Sequence, residues 1–308
     1  MRNAFADEIT KIGREDERVV LLSGDIGNKL FDKFKDHAAS RFYNCGVAEA
    51  NMMSVAAGMA LSGLRPVVYT ITPFTTTRCF EQIRVGASYH SAPVTIVGTG
   101  SGLSYAELGP THHSLEDIAI LRTLPGMTVL APCDEMELRA LLREVFKQDG
   151  PVYMRIGKKG EPKIHASPPQ IRIGRAITVR EGKDACLIAA GTIMAEVLKA
   201  ADLLAKSNVD VRVVSCHTVK PLDEPMLEEA FRSFPLVAVA EEHGRSGGLA
   251  GAIAEWRVRQ KGIVAEMVSF GAEDVFMHEI GSQDYARRRY GLDGENMARR
   301  IRAALEGR

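Results

Sequence analysis

The sequence predicts an α/β protein: a doubly wound parallel β-sheet followed by a second, smaller α/β domain. Short apolar runs typical of buried strands alternate with helical segments along the chain, which is the pattern of a parallel sheet. A polar stretch rich in Pro and Gly, residues 157–170, interrupts this alternation. The chain has 308 residues, enough for two domains. We therefore predict a first domain over 1–160, a linker and entry segment over 161–180, and a second domain over 181–308.

The first predicted domain opens with a helix and a strand. Residues 2–12 have the apolar spacing of an amphipathic helix, which we expect Gly13 to end. Residues 18–25 follow as an apolar strand that runs into a Ser-Gly-Asp turn, where polar groups often reach the carboxyl edge of a sheet. The other elements predicted here are strands at 41–44, 66–71, 93–98, 127–130 and 152–156, helices at 30–37, 114–123 and 134–147, a helix after Gly46 and a helix from the threonines at 75–77 onward.

The second predicted domain resumes the alternation after the linker. It contains an apolar run at 185–192, a helix ending at Ala205, and strands at 209–215 and 236–241. Gly247 and Gly248 lie where a further helix begins. Such a helix start can bind an anion, but we expect the glycines to serve tight packing. We predict no catalytic residue in this domain.

The charge balance argues against nucleic acid or an anionic membrane as a partner. Lys and Arg total 39, Asp and Glu total 39, and the formal net charge is +0. There is consequently no global attraction for a polyanion. No apolar run reaches the length that spans a bilayer, and the first eight residues lack the continuous hydrophobic segment of a signal peptide. We predict a cytoplasmic protein.

The cysteines are spread too widely to suggest a shared function. No two of them form a Cys-x-x-Cys pair, and no Cys and His group in the sequence has the spacing of a zinc site. We predict reduced thiols in the core and no metal ligand in this chain. The five positions are Cys45, Cys79, Cys133, Cys186 and Cys216.

One acidic side chain stands at the start of an otherwise uncharged helix. Glu49 precedes Ala, Met and Val residues that cover several faces, as in a helix buried in a large core or interface. A carboxyl group there loses solvation, which disfavours its charged form unless a partner compensates it. The simpler alternative is an acid that complements the helix dipole.

The run Asn44-Cys45-Gly46-Val47-Ala48-Glu49 resembles the Asn-x-Gly-Ile-x-Glu signature of the pyrimidine-binding domain in transketolases and 1-deoxyxylulose-phosphate synthases. The resemblance implies a thiamine diphosphate-binding fold, followed by a transketolase carboxyl-terminal domain. It also implies that Glu49 bonds a ring nitrogen of the cofactor's aminopyrimidine and so activates the cofactor. A largely dry carboxyl group suits that task, because it must share a proton with a weakly basic ring.

Two further motifs carry the same resemblance. Phe74 and Arg78 fall in a run similar to transketolase halves, which implies that Phe74 stacks on the aminopyrimidine and that Arg78 belongs to the cofactor site. Residues 109–112 match the family's Gly-Pro-Thr-His loop, which implies that His112 faces the reacting carbons of the donor sugar. An imidazole there can exchange protons with hydroxyls near neutral pH. The alternative is that His112 caps a helix that begins at Ser114.

Four more positions are predicted to contact substrate. The resemblance implies a substrate phosphate near Ser23 and near Arg155, with a surface ion pair as the alternative for Arg155. His113 is a second imidazole in the same loop as His112. Leu108 departs from the family pattern, because transketolases usually place there an aspartate associated with the sugar's C2 hydroxyl. Leucine cannot bond a hydroxyl, so we expect an unusual acceptor such as a deoxy or amino sugar.

The resemblance covers only the second half of a full transketolase. The family holds the diphosphate and Mg²⁺ with Gly-Asp-Gly followed by Asn-Asn, and this sequence contains neither. We therefore predict the carboxyl-terminal subunit of a split transketolase, which transfers a two-carbon ketol unit with thiamine diphosphate. The Mg²⁺ would be held by an N-terminal, diphosphate-binding partner subunit in a heterotetramer. Two alternatives stay open: the beta subunit of a 2-oxo acid dehydrogenase-type complex, and a noncatalytic interaction or regulatory subunit.

Overall fold

Two β-sheets form the framework of the chain in the computed structural model, which describes residues 1–27 and 29–307. Asn28 and Arg308, the last residue of the predicted second domain, lie outside the described residues. The larger sheet has seven strands and the smaller has five. Both sheets are parallel except at one edge. The predicted doubly wound, parallel α/β architecture is confirmed.

The strands of both sheets are numbered in chain order. They are β1 (Val19–Ser23), β2 (Phe42–Asn44), β3 (Arg65–Ile71), β4 (Thr95–Thr99), β5 (Thr128–Leu130), β6 (Val152–Ile156), β7 (Ile177–Arg180), β8 (Ala185–Ala190), β9 (Val211–Ser215), β10 (Thr218–Lys220), β11 (Leu236–Gly244) and β12 (Glu266–Ala272). The order is β10-β5-β6-β4-β3-β1-β2 in the larger sheet and β12-β11-β8-β9-β7 in the smaller one. Because β10 pairs antiparallel with β5, the second half of the chain extends the sheet of the first half.

Helices follow most of the strands. They are α1 (Arg2–Glu15), α2 (Asp32–Ala38), α3 (Glu49–Leu61), α4 (Thr72–Thr75), α5 (Phe80–Gln82), α6 (Asp117–Arg122), α7 (Glu135–Val145), α8 (Met194–Ala205), α9 (Glu224–Ser233), α10 (Leu249–Val258), α11 (Gln283–Arg289) and α12 (Gly294–Glu306). Short 3-10 or π segments lie at 39–41, 77–79, 83–88, 106–108 and 191–193. None of the helices within the described ranges has both the length and the hydropathy that crossing a bilayer requires.

Apolar cores lie on both faces of the larger sheet. On one face α1, α2 and α7 pack over the strands, and Phe5 stacks on Tyr69 with ring centroids 5.3 Å apart. On the other face Met52 of α3 belongs to an apolar cluster that continues to Ile188 of β8 and Trp256 of α10. One core thus joins the two sheets. The part of the chain built on the smaller sheet (the second unit) is therefore packed firmly against the part built on the larger sheet (the first unit).

Three helix predictions differ from the structure, two of them at a boundary and for a tertiary reason. Helix α1 continues through Gly13 to Glu15; a Cβ at Gly13 would lie 2.6 Å from the Phe34 ring, so this glycine allows close packing instead of ending the helix. The helix predicted from Ser114 begins at Asp117, because the Ser114 N–H donates to the Gly102 carbonyl at 2.9 Å. The single helix predicted after β3 is divided into short α, 3-10 and π segments.

Candidate active site

The candidate site lies at the carboxyl ends of the first-sheet strands, where a sharp turn after β2 leads into α3. Asn44 Nδ2 donates to Asp25 Oδ1 at 2.9 Å, and Asn44 Oδ1 accepts the Gly46 N–H at 3.0 Å. Gly46 has φ +63°, in the left-handed region that favours glycine. The Asn and Gly of the signature therefore shape the turn, and Glu49 becomes the first residue of α3.

The two carboxylate oxygens of Glu49 have different surroundings. The residue is 2% exposed, and Oε1 accepts a hydrogen bond from Arg78 Nη1 at 2.8 Å. Oε2 is buried and has no hydrogen-bond partner in the described part of the chain. A buried oxygen without a donor is unfavourable. This atom therefore marks a place where a ligand N–H can bind.

Arg78 connects Glu49 to an aromatic ring. Its guanidinium carbon lies 3.9 Å from the centroid of the Phe74 ring, which is the separation of a cation–π contact. His112 meets the Phe74 ring edge-on, with centroids 5.3 Å apart and an interplanar angle of 67°. The structure thus brings together Glu49, Phe74, Arg78 and His112, which come from three separate segments of the sequence.

His112 is held as a neutral, partly buried imidazole. A hydrogen bond of 2.9 Å joins its Nδ1 to Thr111 Oγ1. Burial lowers the pKa of His112 below the usual imidazole value, and the charge of Arg78 lowers it further. His112 does not cap α6, which starts at Asp117 with Glu116 as the preceding residue. A neutral ring in this position can share protons with hydroxyl groups.

The adjacent residues His112 and His113, at the end of the loop that begins at Gly100, have side chains in different surroundings. His113 is buried and lines a cavity of about 240 Å³ between the two units, with Glu116 and Arg245 among its walls. Burial is also the main reason why the pKa of His113 is lowered. Leu108 of the same loop is 49% exposed. His113 therefore faces a different space from His112, whose ring packs on Phe74.

Ser23 and Arg155 are engaged in internal contacts. Ser23 Oγ donates to the Ile26 carbonyl at 2.7 Å, which closes the turn after β1. Arg155 is 4% exposed, its Nε lies 3.2 Å from Asp117 Oδ2, and its Nη2 donates to the Glu242 carbonyl at 3.1 Å. The surface ion pair considered for Arg155 is wrong, because the pair is buried. A phosphate contact by either side chain stays a prediction and would have to replace these bonds.

A second buried acid, Glu242, holds the start of the 100–113 loop and was not predicted as a site residue. Its Oε1 accepts the Leu103 N–H at 2.8 Å, and its Oε2 accepts Arg287 Nη2 at 2.8 Å. Gln283 Nε2 also donates to Oε1 at 2.8 Å. Arg287 lies 45 positions beyond Glu242, so no local pattern in the sequence indicates the pair.

Comparison with known proteins identifies the family. Residues 1–162 match the family model described as the transketolase pyrimidine binding domain, and residues 174–297 match the model of the transketolase C-terminal domain. The chain belongs to the transketolase family. The predicted resemblance is confirmed.

This transketolase-family chain is similar over nearly its whole length to subunits of divided enzymes. It is 34% identical over 307 residues to the 6-deoxy-6-sulfo-D-fructose transketolase subunit SqwH of Clostridium sp. (strain MSTE9), which covers 99% of this chain and 94% of the relative. It is 31% identical over 300 residues to an apulose-4-phosphate transketolase subunit of Phocaeicola vulgatus, with coverage of 97% and 95%. A solved structure described as a split gene transketolase, inactive beta4 tetramer, matches with a TM-score of 0.89 at 32% identity, covering 99% of this chain and 97% of that chain. These relatives favour the transketolase interpretation over a 2-oxo acid dehydrogenase subunit.

The site residues fit the pyrimidine end of thiamine diphosphate, the cofactor that the family implies. The buried Glu49 Oε2, unpartnered within the described residues, offers an acceptor for a ring N–H. Phe74 offers an aromatic surface close by, since Arg78 contacts both side chains. The sequence contains neither Gly-Asp-Gly nor Asn-Asn, the family's diphosphate and Mg²⁺ motifs.

Proposed function

We propose that this chain is the pyrimidine-binding subunit of a split transketolase, which moves a two-carbon ketol unit from a ketose to an aldose. One observation carries the proposal: Arg78 holds Oε1 of the buried Glu49, while Oε2 has no partner among the described residues. This arrangement suits a carboxylate that shares a proton with a cofactor ring nitrogen. The family matches over both domains and the subunit relatives support the proposal.

Each side chain of the site has a task in the proposed reaction. Glu49 Oε2 exchanges a proton with the aminopyrimidine ring nitrogen, and Arg78 orients the carboxylate through Oε1. Phe74 supports the pyrimidine ring by stacking. Neutral His112 bonds the sugar hydroxyls and moves protons to and from them. When bound, thiamine diphosphate supplies the electron sink that amino-acid side chains cannot provide.

A partner subunit holds the diphosphate end of the cofactor and its Mg²⁺ in this proposal. Large apolar side chains exposed on and near α3 support such a partner: Val47 is 79% exposed, Leu61 58% and Tyr89 81%. Exposed apolar surface of this kind is typical of protein interfaces. A subunit that covers Val47, two positions before Glu49, also approaches the place from which the other half of the cofactor must extend. We propose a cytoplasmic heterotetramer with two copies of each subunit.

The proposed substrate is an unusual sugar. The names of two relatives specify 6-deoxy-6-sulfo-D-fructose and apulose 4-phosphate. In this chain Leu108 is 49% exposed on the loop that carries His112. An acceptor with a missing or modified hydroxyl next to its aldehyde suits an apolar side chain, because no polar group is left without a partner.

Reconstitution tests the split assignment. We expect the purified chain, supplied with thiamine diphosphate and Mg²⁺, to show no ketol transfer and weak cofactor binding. Adding the diphosphate-binding chain, which we expect a neighbouring gene to encode, should produce both. Robust turnover by the single chain would contradict the proposal, and pyruvate decarboxylation by the pair would favour the dehydrogenase alternative. Cofactor binding without transfer to any sugar would favour a noncatalytic subunit.

Two substitutions of exposed apolar residues test the partner surface. Leu61→Glu places a charge on the exposed face of α3 and should weaken association with the diphosphate-binding chain. Val258→Glu, at the end of α10 where the side chain is 87% exposed, is the control and should leave association unchanged. Equal affinity of both variants for the partner, measured by analytical ultracentrifugation, would place the interface elsewhere.

The acceptor is tested at position 108. In the reconstituted pair we compare turnover of ribose 5-phosphate with that of its 2-deoxy analogue, before and after Leu108→Asp. We expect the wild type to favour the deoxy sugar and the variant to shift towards the hydroxylated one. A wild-type preference for ribose 5-phosphate that the substitution leaves unchanged would show that this loop does not select the acceptor.

A further inference from the structure

Three chemically reactive side chains meet at the start of α7, in a cluster that the proposed reaction does not use. Cys133 follows β5, Glu137 lies in the first turn of α7, and His165 comes from the segment between the two sheets. Cys133 Sγ is 3.8 Å from His165 Nε2, and His165 Nε2 is 2.9 Å from Glu137 Oε1. All three atoms lie within 4.8 Å of one another.

We propose that Cys133 Sγ, Glu137 Oε1 and His165 Nε2 form a binding site for a divalent metal ion, with Zn²⁺ the best match. Thiolate, imidazole and carboxylate are the three ligand types that Zn²⁺ takes in proteins. Ordinary Zn–S and Zn–N bond lengths around a tetrahedral ion place neighbouring ligand atoms about 3.4–3.6 Å apart. The observed separations of 2.9 and 3.8 Å lie on either side of that distance, so small side-chain shifts suffice.

A candidate fourth ligand, His217, lies beside the cluster, outside the group of ligand atoms that are within 4.8 Å of one another. His217 is fully buried, and its Nε2 has no hydrogen-bond partner within the described ranges. The backbone carbonyl of His217 accepts the N–H of Ala131 at 2.8 Å. Ala131 is two positions before Cys133, so His217 lies next to the cluster. The Nδ1 atom of His217 is 2.9 Å from Thr218 Oγ1. A hydrogen bond at the other ring nitrogen is the usual support of a metal-binding histidine.

Backbone N–H groups around the cluster have hydrogen-bond acceptors other than the three proposed ligand atoms. Asp134 Oδ2 accepts the N–H groups of Ile164 and His165 at 2.9 Å each, and Glu137 Oε2 accepts the Cys133 N–H at 2.8 Å. Glu137 Oε1 is thereby left facing His165, and the described ion pairs of Glu137 include no Lys or Arg. A buried carboxylate whose described ion pair is with a histidine alone is a place where a metal charge is favourable.

The site is structural rather than catalytic. Cys133 is 2% exposed, so its thiol is out of reach of a substrate and loses its proton only to a bound metal ion. A bound Zn²⁺ displaces that proton to the solvent and keeps the thiolate as a ligand. The ion connects the larger sheet, the segment between the sheets and, through His217, the second unit. It thus fastens the junction of the two units.

Cobalt titration of the full chain tests the site without any partner subunit. We use metal-stripped protein under reducing conditions and replace Zn²⁺ by Co²⁺. We expect one equivalent of Co²⁺ to give the visible bands of a four-coordinate ion together with a thiolate charge-transfer band, and Zn²⁺ to displace it and raise the Tm. A wild-type chain that binds neither ion, or that binds Co²⁺ without the thiolate band, overturns the proposal.

Matched variants locate the ligands. Cys133→Ser should remove the thiolate band, and Cys133→Ser and His165→Asn should each weaken Co²⁺ binding at least about 100-fold, since loss of a mere supporting hydrogen bond already costs 10–100-fold. Cys186→Ser, another buried cysteine, and His90→Asn, an exposed histidine, are controls that should leave the spectrum unchanged. Loss of the band in Cys186→Ser with retention in Cys133→Ser also overturns the assignment. Circular dichroism of each variant separates loss of the site from loss of folding.

Discussion

Two buried carboxylates, Glu49 in the first unit and Glu242 in the second, have opposite hydrogen-bonding environments. Both are nearly inaccessible, at 2% and 3% exposure. Glu242 accepts hydrogen bonds from Leu103 N–H, Gln283 Nε2 and Arg287 Nη2, each at 2.8 Å. Glu49 accepts one from Arg78, and its Oε2 accepts none from the residues that the structure describes.

The difference separates an acid whose hydrogen bonds are satisfied within the chain from the acid that we propose to bind the cofactor. At Glu242 burial alone would raise the pKa, but the charge of Arg287 and the hydrogen bonds outweigh it, and the pKa is lowered. The Glu242 carboxylate is ionised and buried, and each of its oxygens accepts a hydrogen bond. The partner of Glu49 is different, because the Arg78 side chain is 46% exposed whereas that of Arg287 is 10% exposed. A carboxylate with a spare oxygen and a partner at the surface can admit a cofactor ring.

The largest effect is expected at Glu49. Glu49→Gln keeps the shape of the side chain but removes proton exchange with the cofactor, so turnover of the reconstituted pair should fall by about 10²–10⁴-fold with little change in Tm. Deuterium exchange at the thiazolium carbon isolates this step. Glu242→Gln is the matched control. It should lower the Tm and leave the rate of deuterium exchange close to that of the wild type. Exchange at the wild-type rate in Glu49→Gln would show that Glu49 is not the activating acid.

The next effect concerns stability. Arg287→Met leaves the buried charge of Glu242 without its cation, and the free energy of unfolding should fall by about 3–5 kcal/mol. Urea denaturation of the isolated chain measures it. Adding Glu242→Gln to Arg287→Met should recover part of the loss, because no charge is then left unpaired. If Arg287→Met alone lowers the free energy of unfolding by less than about 1 kcal/mol, this buried pair contributes no more than a surface ion pair does. The contrast with Glu49 would then be lost.

A smaller effect is expected at Arg78. Arg78→Gln removes the hydrogen bond to Glu49 and the contact with the Phe74 ring, and cofactor affinity of the assembled pair should fall about tenfold. The free energy of unfolding should fall by less than in Arg287→Met, since the Arg78 side chain is half exposed. Calorimetric titration with thiamine diphosphate measures the affinity. Arg78→Lys keeps the charge but loses the planar stack on Phe74, so its cofactor affinity should lie between those of the wild type and Arg78→Gln. An affinity below that of Arg78→Gln would contradict this account.

The smallest effect is a displacement of the pH profile. Because burial and the charge of Arg78 lower the pKa of His112, the ring stays neutral to a lower pH than a free imidazole with pKa 6.5. The acid limb of turnover should therefore lie below pH 6.5. Arg78→Gln removes one of the two causes and should move the limb upward, and His112→Asn should abolish it. An acid limb that is the same in all three proteins would assign it to another group.

Local patterns in the sequence predicted the parallel architecture, the position of Glu49 at a helix start and every strand except β7, β10 and β12. Their errors concern packing. Gly13 allows the Phe34 ring to approach α1 and does not end the helix. Arg155 was considered for a surface ion pair, yet it lies in a buried one with Asp117. In both cases the deciding neighbour is a side chain distant in sequence, which a pattern of polarity cannot identify.

By itself the sequence determined most elements of the larger sheet and the turn that precedes Glu49, because hydrophobic periodicity and the Asn44 to Gly46 hydrogen bond act over a few residues. Tertiary structure alone decided which buried polar groups are satisfied. Arg78 reaches Glu49 across 29 positions, Arg287 reaches Glu242 across 45, and His165 reaches Glu137 across 28. The physical reason is that a buried charge is tolerated only when the folded chain brings it a partner, and that partner is chosen by packing and not by neighbourhood in sequence.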